Sequence, residues 1–447
     1  MANKILFELF NMTVSGGTGI ATYSRNTCEI ASELGFETEG LLHSYRPIDT
    51  KDPVLAEVGF FDARNREISP YTKYVTLNWR RMVGAPFGLR GAAMPGKTIV
   101  VQSEAARSFG SLQRLFVAPL FMDISRFHFK RYGSAVKLKV NSRPDIFHAT
   151  QAIPLQIEGA RNIYTIHDLV PLRLPYSTLD DKKFFLNMVR HLGRVAERIV
   201  TVSEASRNDL INICGIAPEK VVNTYQSVSF PADMVAQSDA ETARLVEQSF
   251  GLKSGDYYLF YGALEPKKNV GRLIDAYIAS GSQRSLVLAG GLGWEYAADL
   301  DKIEENQSNA LKIEGRRIVP DERIRRLQHL PLFQLMALIR NARAVIFPSL
   351  YEGFGLPVLE SMLLRTPVVT SNTSSLVEVA GDAALLVDPS DIRSIMAAIQ
   401  KIDADDALCA ELARRGVIQA GKFSPAAHKV KLGRVYDEAL ARPVAKN

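Results

Sequence analysis

Cysteine is scarce in this chain: Cys28, Cys214 and Cys409 are the three among 447 residues. An odd, scattered set without metal-ligand spacing excludes a disulfide framework and points to a reducing cytoplasm. Equally absent is an uninterrupted apolar run near the roughly 20 residues that a membrane span needs. The opening MANKILFELFNM is broken by Glu8 before a signal-peptide core forms, so it reads as a first β-strand. No internal repeat or low-complexity tract occurs, and no constellation of acids, histidines or cysteines suits a metal, so neither metal nor other cofactor is expected. The acids Asp403, Asp405 and Asp406, far from any strand end, and the pair Asp180 and Asp181 read as solvated helix starts.

Apolar residues make up 47% of the chain, enough for sizeable cores, and the length suggests two or three domains at about 150 residues each. The net charge of +6 is unevenly spread. From Arg80 to Lys139 eleven Lys and Arg residues face only Glu104 and Asp123. Phe87, Phe109, Phe116, Phe121, Phe127, Phe129 and Tyr132 are interleaved with them. No nucleic-acid recognition motif accompanies this stretch, which argues against nucleic acid as a partner. Two readings stay open: contact with an anionic membrane surface, where each cation gains on the order of 1 kcal/mol and rings enter the interface, or a solvated basic loop region.

Short apolar strands alternate with helical patterns, which predicts parallel sheets covered on both faces. The first half has a strand at Ile5 to Phe10, a glycine loop and a helix from Tyr23 to Leu34. After the basic insertion (about 64–140) come strands at Asp145 to Ala149, Asn162 to Asp168 and Arg198 to Ser203, with helices at Asp180 to Ala196 and Ala205 to Ile213. The pattern loosens from Phe230 to Ser254. A second cycle then sets strands at Tyr257 to Ala263, Ser285 to Gly291, Ala342 to Pro348, Thr366 to Ser371 and Ala383 to Asp388. Helices at Val270 to Ala279, Leu332 to Asn341 and Asp391 to Ile402 separate them. The divisions expected are 1–228, 229–425 and a last helix in 426–447. Such sheets bind ligands at the carboxyl ends of their strands.

The segment FPSLYEGFGLPVLESM (Phe347 to Met362) is the richest. A buried strand runs into a turn broken by Pro348, Gly353, Gly355 and Pro357, then into a helix. Backbone amides at a glycine turn and a helix N-terminus favour a phosphate. Glu352 and Glu360, eight positions apart, are unfavourable beside an anion unless each holds a neutral hydroxyl. A sugar nucleotide offers hydroxyls on both sides of its diphosphate. In YGALEPKKN (Tyr261 to Asn269), Lys267 and Lys268 at a strand-to-helix turn can neutralise such a group.

The Glu-x7-Glu spacing within EGFGLPVLE resembles the signature of the retaining glycosyltransferases of family four. That resemblance implies an α/β protein of GT-B architecture, two doubly wound Rossmann-like parallel-sheet domains facing a cleft, the first for acceptor and the second for donor. It also implies that the last helix returns to the first domain. Of single residues it implies that Glu352 contacts the donor sugar, Glu360 holds the ribose hydroxyls, and the amides of Phe354, Gly355 and Leu356 receive the distal phosphate. Lys268, and less distinctly Lys267 (the family commonly has Arg there), stabilise the diphosphate. His167 in TIHDLVPLRLP contacts the donor sugar, whereas His148 reads as structural. Gly17, Thr18 and Gly19 lie under the donor phosphates, and backbone near His329 and Leu330 meets the base.

AGGLGWE (Ala289 to Glu295) together with EPKKN looks most like members that use GDP-mannose. The implied activity is metal-independent hexosyl transfer from a nucleotide sugar to a lipid-linked or polysaccharide glycan in cell-surface polysaccharide biosynthesis. It would take place in the cytoplasm or at the inner membrane face. A UDP-sugar donor, a non-catalytic sugar-nucleotide sensor, and an oxidoreductase using Gly17-Thr18-Gly19 with Glu39 as a partial dinucleotide fingerprint are the alternatives. In that fingerprint Thr22 stands where the third glycine belongs.

Overall fold

A computed structural model of the chain describes residues 2–13, 19–45, 52–62, 87–94, 109–293, 301–303, 311–314, 317–320, 323–328 and 330–442. Among them no helix is long and apolar enough to cross a membrane. The chain divides into two compact units, one of residues 1–169, 181–227 and 425–447, the other of 170–180 and 228–424.

The first unit contains β1 (Lys4–Glu8), β2 (Glu37–Ser44), β3 (Leu89–Arg90), β4 (Ala92–Met94), β5 (Arg114–Pro119), β6 (Val136–Lys139), β7 (Ile146–Ala149), β8 (Leu155–Ile157), β9 (Arg161–Thr165), β10 (Arg198–Thr201) and β11 (Val221–Asn223). Eight of these form one sheet in the order β11-β10-β9-β7-β1-β2-β5-β4. It is parallel except where β4 meets β5. Its central strands are buried on both faces, β1 with Ile5, Leu6 and Phe7 at 0% exposure, the pattern expected when helices cover both sides of a parallel sheet. The helix Gly19–Glu33 and the last helix, Pro425–Ala441, pack together, with Leu432, Val435 and Tyr436 in the core that holds β1. The first of these helices starts at Gly19, a turn earlier than expected.

Residues 109–139 are not an insertion. β5 pairs with β2 in the main sheet, one strand in from the β4 edge, and the helix Phe121–Tyr132 follows it. Phe109, Phe116, Phe121 and Phe129 are accordingly core residues, while Phe87 and Tyr132 stay exposed. The basic residues hid this, because long cationic side chains can sit at the surface of an element whose other face is core. Arg80, Arg81, Lys97, Arg107 and Glu104 lie outside the described residues.

The second unit contains β12 (Tyr257–Tyr261), β13 (Ser285–Ala289), a β14–β15 hairpin ladder (Leu311–Glu314 with Arg317–Pro320), β16 (Ile324–Leu327), β17 (Ala344–Phe347), β18 (Val368–Ser371) and β19 (Leu385–Val387). Its parallel sheet runs β16-β13-β12-β17-β18-β19.

Two expectations fail in this unit. The loosened stretch holds a twelve-residue helix, Asp239–Phe250, opened by a capping box in which Ser238 and Glu241 satisfy each other's backbone amides. Only Thr242 and Val246 of that helix are buried, so its apolar period is faint. Asp403 is not a solvated helix start. It accepts from the Tyr258 hydroxyl at 2.6 Å and pairs with Arg284, tying a core strand to a surface helix. Asp405 and Asp181 do cap helices, accepting from the Leu408 and Phe184 amides.

Candidate functional site

In the second unit the carboxyl ends of β12 and β17 carry the residues of interest. β12 ends at Tyr261 and runs through Gly262 into the turn Pro266–Lys268. Asn269 closes that turn in a left-handed conformation (φ 63°), and its buried side-chain Nδ2 donates to the Pro348 and Pro389 carbonyls at 3.0 and 2.7 Å. The Leu350 amide donates to the Lys267 carbonyl at 2.8 Å. The lysine turn is thereby stitched to the loop after β17, about 80 residues along the chain.

Two lysines and one glutamate meet there. Lys268 Nζ lies 2.6 Å from Glu352 Oε1 and 4.7 Å above the Phe347 ring centroid. Lys267 Nζ is 4.0 Å from Glu352 Oε2 and 3.8 Å from Glu265 Oε2. Glu352 is only 7% exposed. Burial pushes its carboxyl up, but Lys268 and then Lys267 more than offset this and hold it below the usual carboxylate range. The glutamate is therefore ionised at neutral pH. Its own amide donates to Ser374 Oγ at 3.1 Å, and Ser375 Oγ donates to its carbonyl at 2.9 Å. These two serines carry no motif signal, and the sequence reading missed them.

Gly355 (φ 105°) turns the loop into the helix Leu356–Leu363. The left-handed backbone favours glycine, and a Cβ there would lie 2.6 Å from Leu376 Cδ2, so that side chain would have to shift. Phe354 is 3% exposed with its ring edge-on to Phe423; its side chain anchors the loop and only its backbone is left for a ligand. The amides of Phe354, Gly355 and Leu356 stand at the helix start, where backbone donors lack intrahelical acceptors and favour an anion. Glu360, one turn further in, is partly exposed and accepts from the Tyr261 hydroxyl at 3.0 Å. Burial holds its carboxyl above the usual range, partly countered by that hydrogen bond. Leu330 packs its side chain against the core cluster of the unit; His329 lies outside the described residues.

In the first unit the strand ends are differently furnished. His167, two residues past β9, donates from Nε2 to the Thr150 carbonyl at 2.9 Å, which leaves Nδ1 as an acceptor. Burial lowers its pKa, against the pull of that hydrogen bond and of Asp168, so it is neutral near pH 7. Tyr23 meets it edge-on at 4.9 Å between centroids, and Ser206 Oγ donates to its carbonyl at 2.7 Å.

His148 is fully buried between the Tyr436 and Thr165 hydroxyls, both at 2.8 Å, as a structural histidine should be. Burial takes its pKa down to about 3. Glu8, which sequence reasoning passed over, ends β1 fully buried. Its Oε1 accepts from the Phe10 amide and the Gln151 side chain at 2.8 and 3.1 Å, and its Oε2 has no partner. Burial raises this carboxyl to about 7. Gly19 opens its helix; Gly17 and Thr18 lie outside the described residues.

The arrangement in the second unit offers cations and backbone amides for a diphosphate and two carboxylates for hydroxyls. Residues 245–418 match the family model described as Glycosyl transferases group 1, and residues 98–228 match Glycosyltransferase Family 4. The O-antigen chain mannosyltransferase B of Escherichia coli is 32% identical over 61% of this chain and 68% of its own length. The chain belongs to glycosyltransferase family four.

As a member of that family it is an enzyme that transfers glycosyl groups, which removes the oxidoreductase alternative. The serotype-specific mannosyltransferase WbdA of Escherichia coli is 28% identical over 62% of this chain, which spans 33% of that longer protein. The O-antigen chain mannosyltransferase RfbU of Salmonella typhimurium is 26% identical over 54% of this chain and 60% of its own. Among solved structures, Anabaena HepE in complex with UDP and glucose has a TM-score of 0.64 at 15% identity, covering 98% of this chain and all of that one. Sucrose-phosphate synthase of Thermosynechococcus elongatus has 0.66 at 16%, covering 98% and 99%. The fold is thus GT-B, with two Rossmann-like parallel-sheet units. Lys267, Lys268, Leu330, Glu352, Phe354, Gly355, Leu356 and Glu360 fall inside the first family match and His167 inside the second.

Proposed function

We propose that this glycosyltransferase moves mannose, with retention at the anomeric carbon, from GDP-mannose to a glycan of a cell-surface polysaccharide. The ion pair between Lys268 and Glu352, set at the strand ends against a glycine-opened helix, is the observation that carries the chemistry. The relatives described as O-antigen mannosyltransferases support the sugar and the polysaccharide.

The second unit is the donor domain in this reading and the first receives the acceptor. Glu352, kept ionised by the two lysines, accepts hydroxyls of the donor sugar, and Nδ1 of His167 in the first unit is an acceptor suited to a sugar hydroxyl. Glu360 takes the ribose hydroxyls. The amides of Phe354, Gly355 and Leu356 bind the distal phosphate, and the Leu330 backbone meets the base. In the reaction the bond from the anomeric carbon to the diphosphate oxygen breaks. The acceptor oxygen bonds to the same face, and its proton passes to the departing diphosphate. Lys268, Lys267 and the helix amides stabilise the charge that develops there.

The acceptor is carried on lipid, and the first unit meets an anionic membrane surface. Exposed Arg126, Lys130 and Arg131 on the helix Phe121–Tyr132 support this contact, although Lys130 already pairs with Asp181 at 3.4 Å and the buried phenylalanines cannot take part. Flotation with anionic against neutral vesicles tests it; equal binding to both sinks the membrane contact.

The donor is tested by thermal shift with GDP, UDP, ADP and NAD, repeated on Glu360→Ala. A ligand at a hundredfold excess over its Kd adds roughly 2.7 kcal/mol. A shift with GDP, lost in the variant, is expected; one with UDP alone overturns the GDP assignment. Transfer from GDP-mannose should fall sharply in Glu352→Gln, and undiminished turnover in that variant rules out its role. Absence of any turnover by the native chain would favour a sugar-nucleotide sensor.

A further inference from the structure

The strand β12, YYLFY, contains three tyrosines, and each spends its hydroxyl differently. Tyr257 donates to the Leu338 carbonyl at 2.6 Å and Tyr258 to Asp403 at 2.6 Å, each tying the strand to a helix. Tyr261, at the carboxyl end and 5% exposed, reaches the helix that carries Glu360. Its hydroxyl is 3.0 Å from Glu360 Oε2, 2.9 Å from the Pro357 carbonyl and 3.4 Å from Ser361 Oγ.

A phenol has a single proton to give. Ser361 Oγ already donates to the Pro357 carbonyl at 2.6 Å, and a carboxylate is the stronger acceptor. The Tyr261 proton therefore goes to Glu360 Oε2. Among the described residues no donor meets Oε1 of Glu360, and the residue is partly exposed while Tyr261 behind it is buried. A buried side chain thus fixes one oxygen of a carboxylate whose other oxygen is left for a ligand.

We infer that Tyr261 is a positioning residue for the donor: its hydroxyl fixes the Glu360 carboxylate so that this group receives the ribose hydroxyls of a nucleoside diphosphate. The inference rests on the reading of Glu360 as the ribose-binding carboxylate. Tyr261 touches no ligand itself. Its phenol sets the angle at which the carboxylate is presented and, as a donor, favours the accepting form of the carboxylate against the opposing effect of burial. Phenylalanine at this position would preserve the packing and release the carboxylate.

Calorimetric titration of the native chain, Tyr261→Phe and Glu360→Gln with GDP, UDP and their 2′-deoxy counterparts tests this. The native chain should prefer the ribonucleotide over the deoxynucleotide. In Tyr261→Phe the ribonucleotide Kd should rise about tenfold, as expected for loss of a hydrogen bond to a charged group, with the deoxynucleotide Kd within about twofold. The preference then collapses, and in turnover KM for the sugar nucleotide rises while kcat holds. A merely structural tyrosine would weaken both nucleotides alike, and that result, or an unchanged preference, overturns the inference. Should Glu360→Gln itself retain the preference, the ribose role of Glu360 fails. That failure is separate from one in which only Tyr261→Phe retains it.

Discussion

Each unit places a buried glutamate at, or in the loop just beyond, the carboxyl end of a parallel strand, and the two are treated in opposite ways. Glu352 has two ammonium groups within 4.0 Å and is held below the usual carboxylate range. Glu8 has an amide, a side-chain amide and one unpartnered oxygen, and is raised to about 7. Burial pushes both upward; what differs is whether a cation accompanies the acid. Burial alone does not decide ionisation, and a strand-end carboxylate does chemistry as an anion only where its neighbours make it one.

The largest effect should come from breaking the compensated pair. Lys268→Ala leaves Glu352 buried beside the more distant Lys267, and removing one partner of a buried pair costs about 3 kcal/mol or more. Glu352→Ala combined with Lys268→Ala should recover most of that stability in denaturant unfolding, because no uncompensated charge remains. Turnover should fall in both, by roughly a hundredfold or more for Lys268→Ala. A double variant no more stable than the single one would contradict this account.

The uncompensated acid gives the next effect. Glu8 has a folded pKa of about 7 against an ordinary value of 4.5. A raised folded value means that its contribution is fully present below about pH 4.5 and lost as pH rises through about 7. Ionising it in place costs about 3 kcal/mol. Glu8→Gln should flatten the decline of stability between pH 5 and 8, followed by urea midpoints. His148 works in the other direction: its folded pKa of about 3 means stability present above about 6.5 and lost as pH falls toward about 3. An equal slope in Glu8→Gln and the native chain would place the pH dependence elsewhere.

Gly355→Ala probes the turn that carries Glu352 toward its helix. The left-handed φ and the 2.6 Å approach to Leu376 predict a loss of about 1 to 3 kcal/mol together with weaker nucleotide binding. Unchanged melting would show that the loop relaxes freely. The smallest change is Tyr436→Phe, which takes a hydrogen bond from buried His148 and should cost about 1 kcal/mol without altering nucleotide affinity. A large loss of nucleotide binding would tie the last helix to the donor site.

Much of this was legible residue by residue. The strands of the second unit read as short apolar runs because parallel strands buried on both faces have no polar alternation. The glutamate spacing and the glycines stood out because few residues tolerate the conformations they occupy. The helix Asp239–Phe250 was hidden by its polar surface, though its Ser238 and Glu241 caps spelled it out. The strand β5 was obscured by the arginines and lysines around it.

By itself, then, the order of amino acids determined the alternation of strand and helix, the glycine turn before Leu356, and which residues carry ionisable or hydroxyl groups. All of these depend on interactions a few residues in range. Only the tertiary structure decided that Lys268 meets Glu352 across 84 positions, that Tyr261 serves Glu360 across 99, that His148 lies between Thr165 and Tyr436, and that Glu8 is shut away without a cation. The ionisation of each acid follows from those meetings, because a carboxylate's pKa is set by the dielectric and charges within a few ångströms, and packing alone determines which those are.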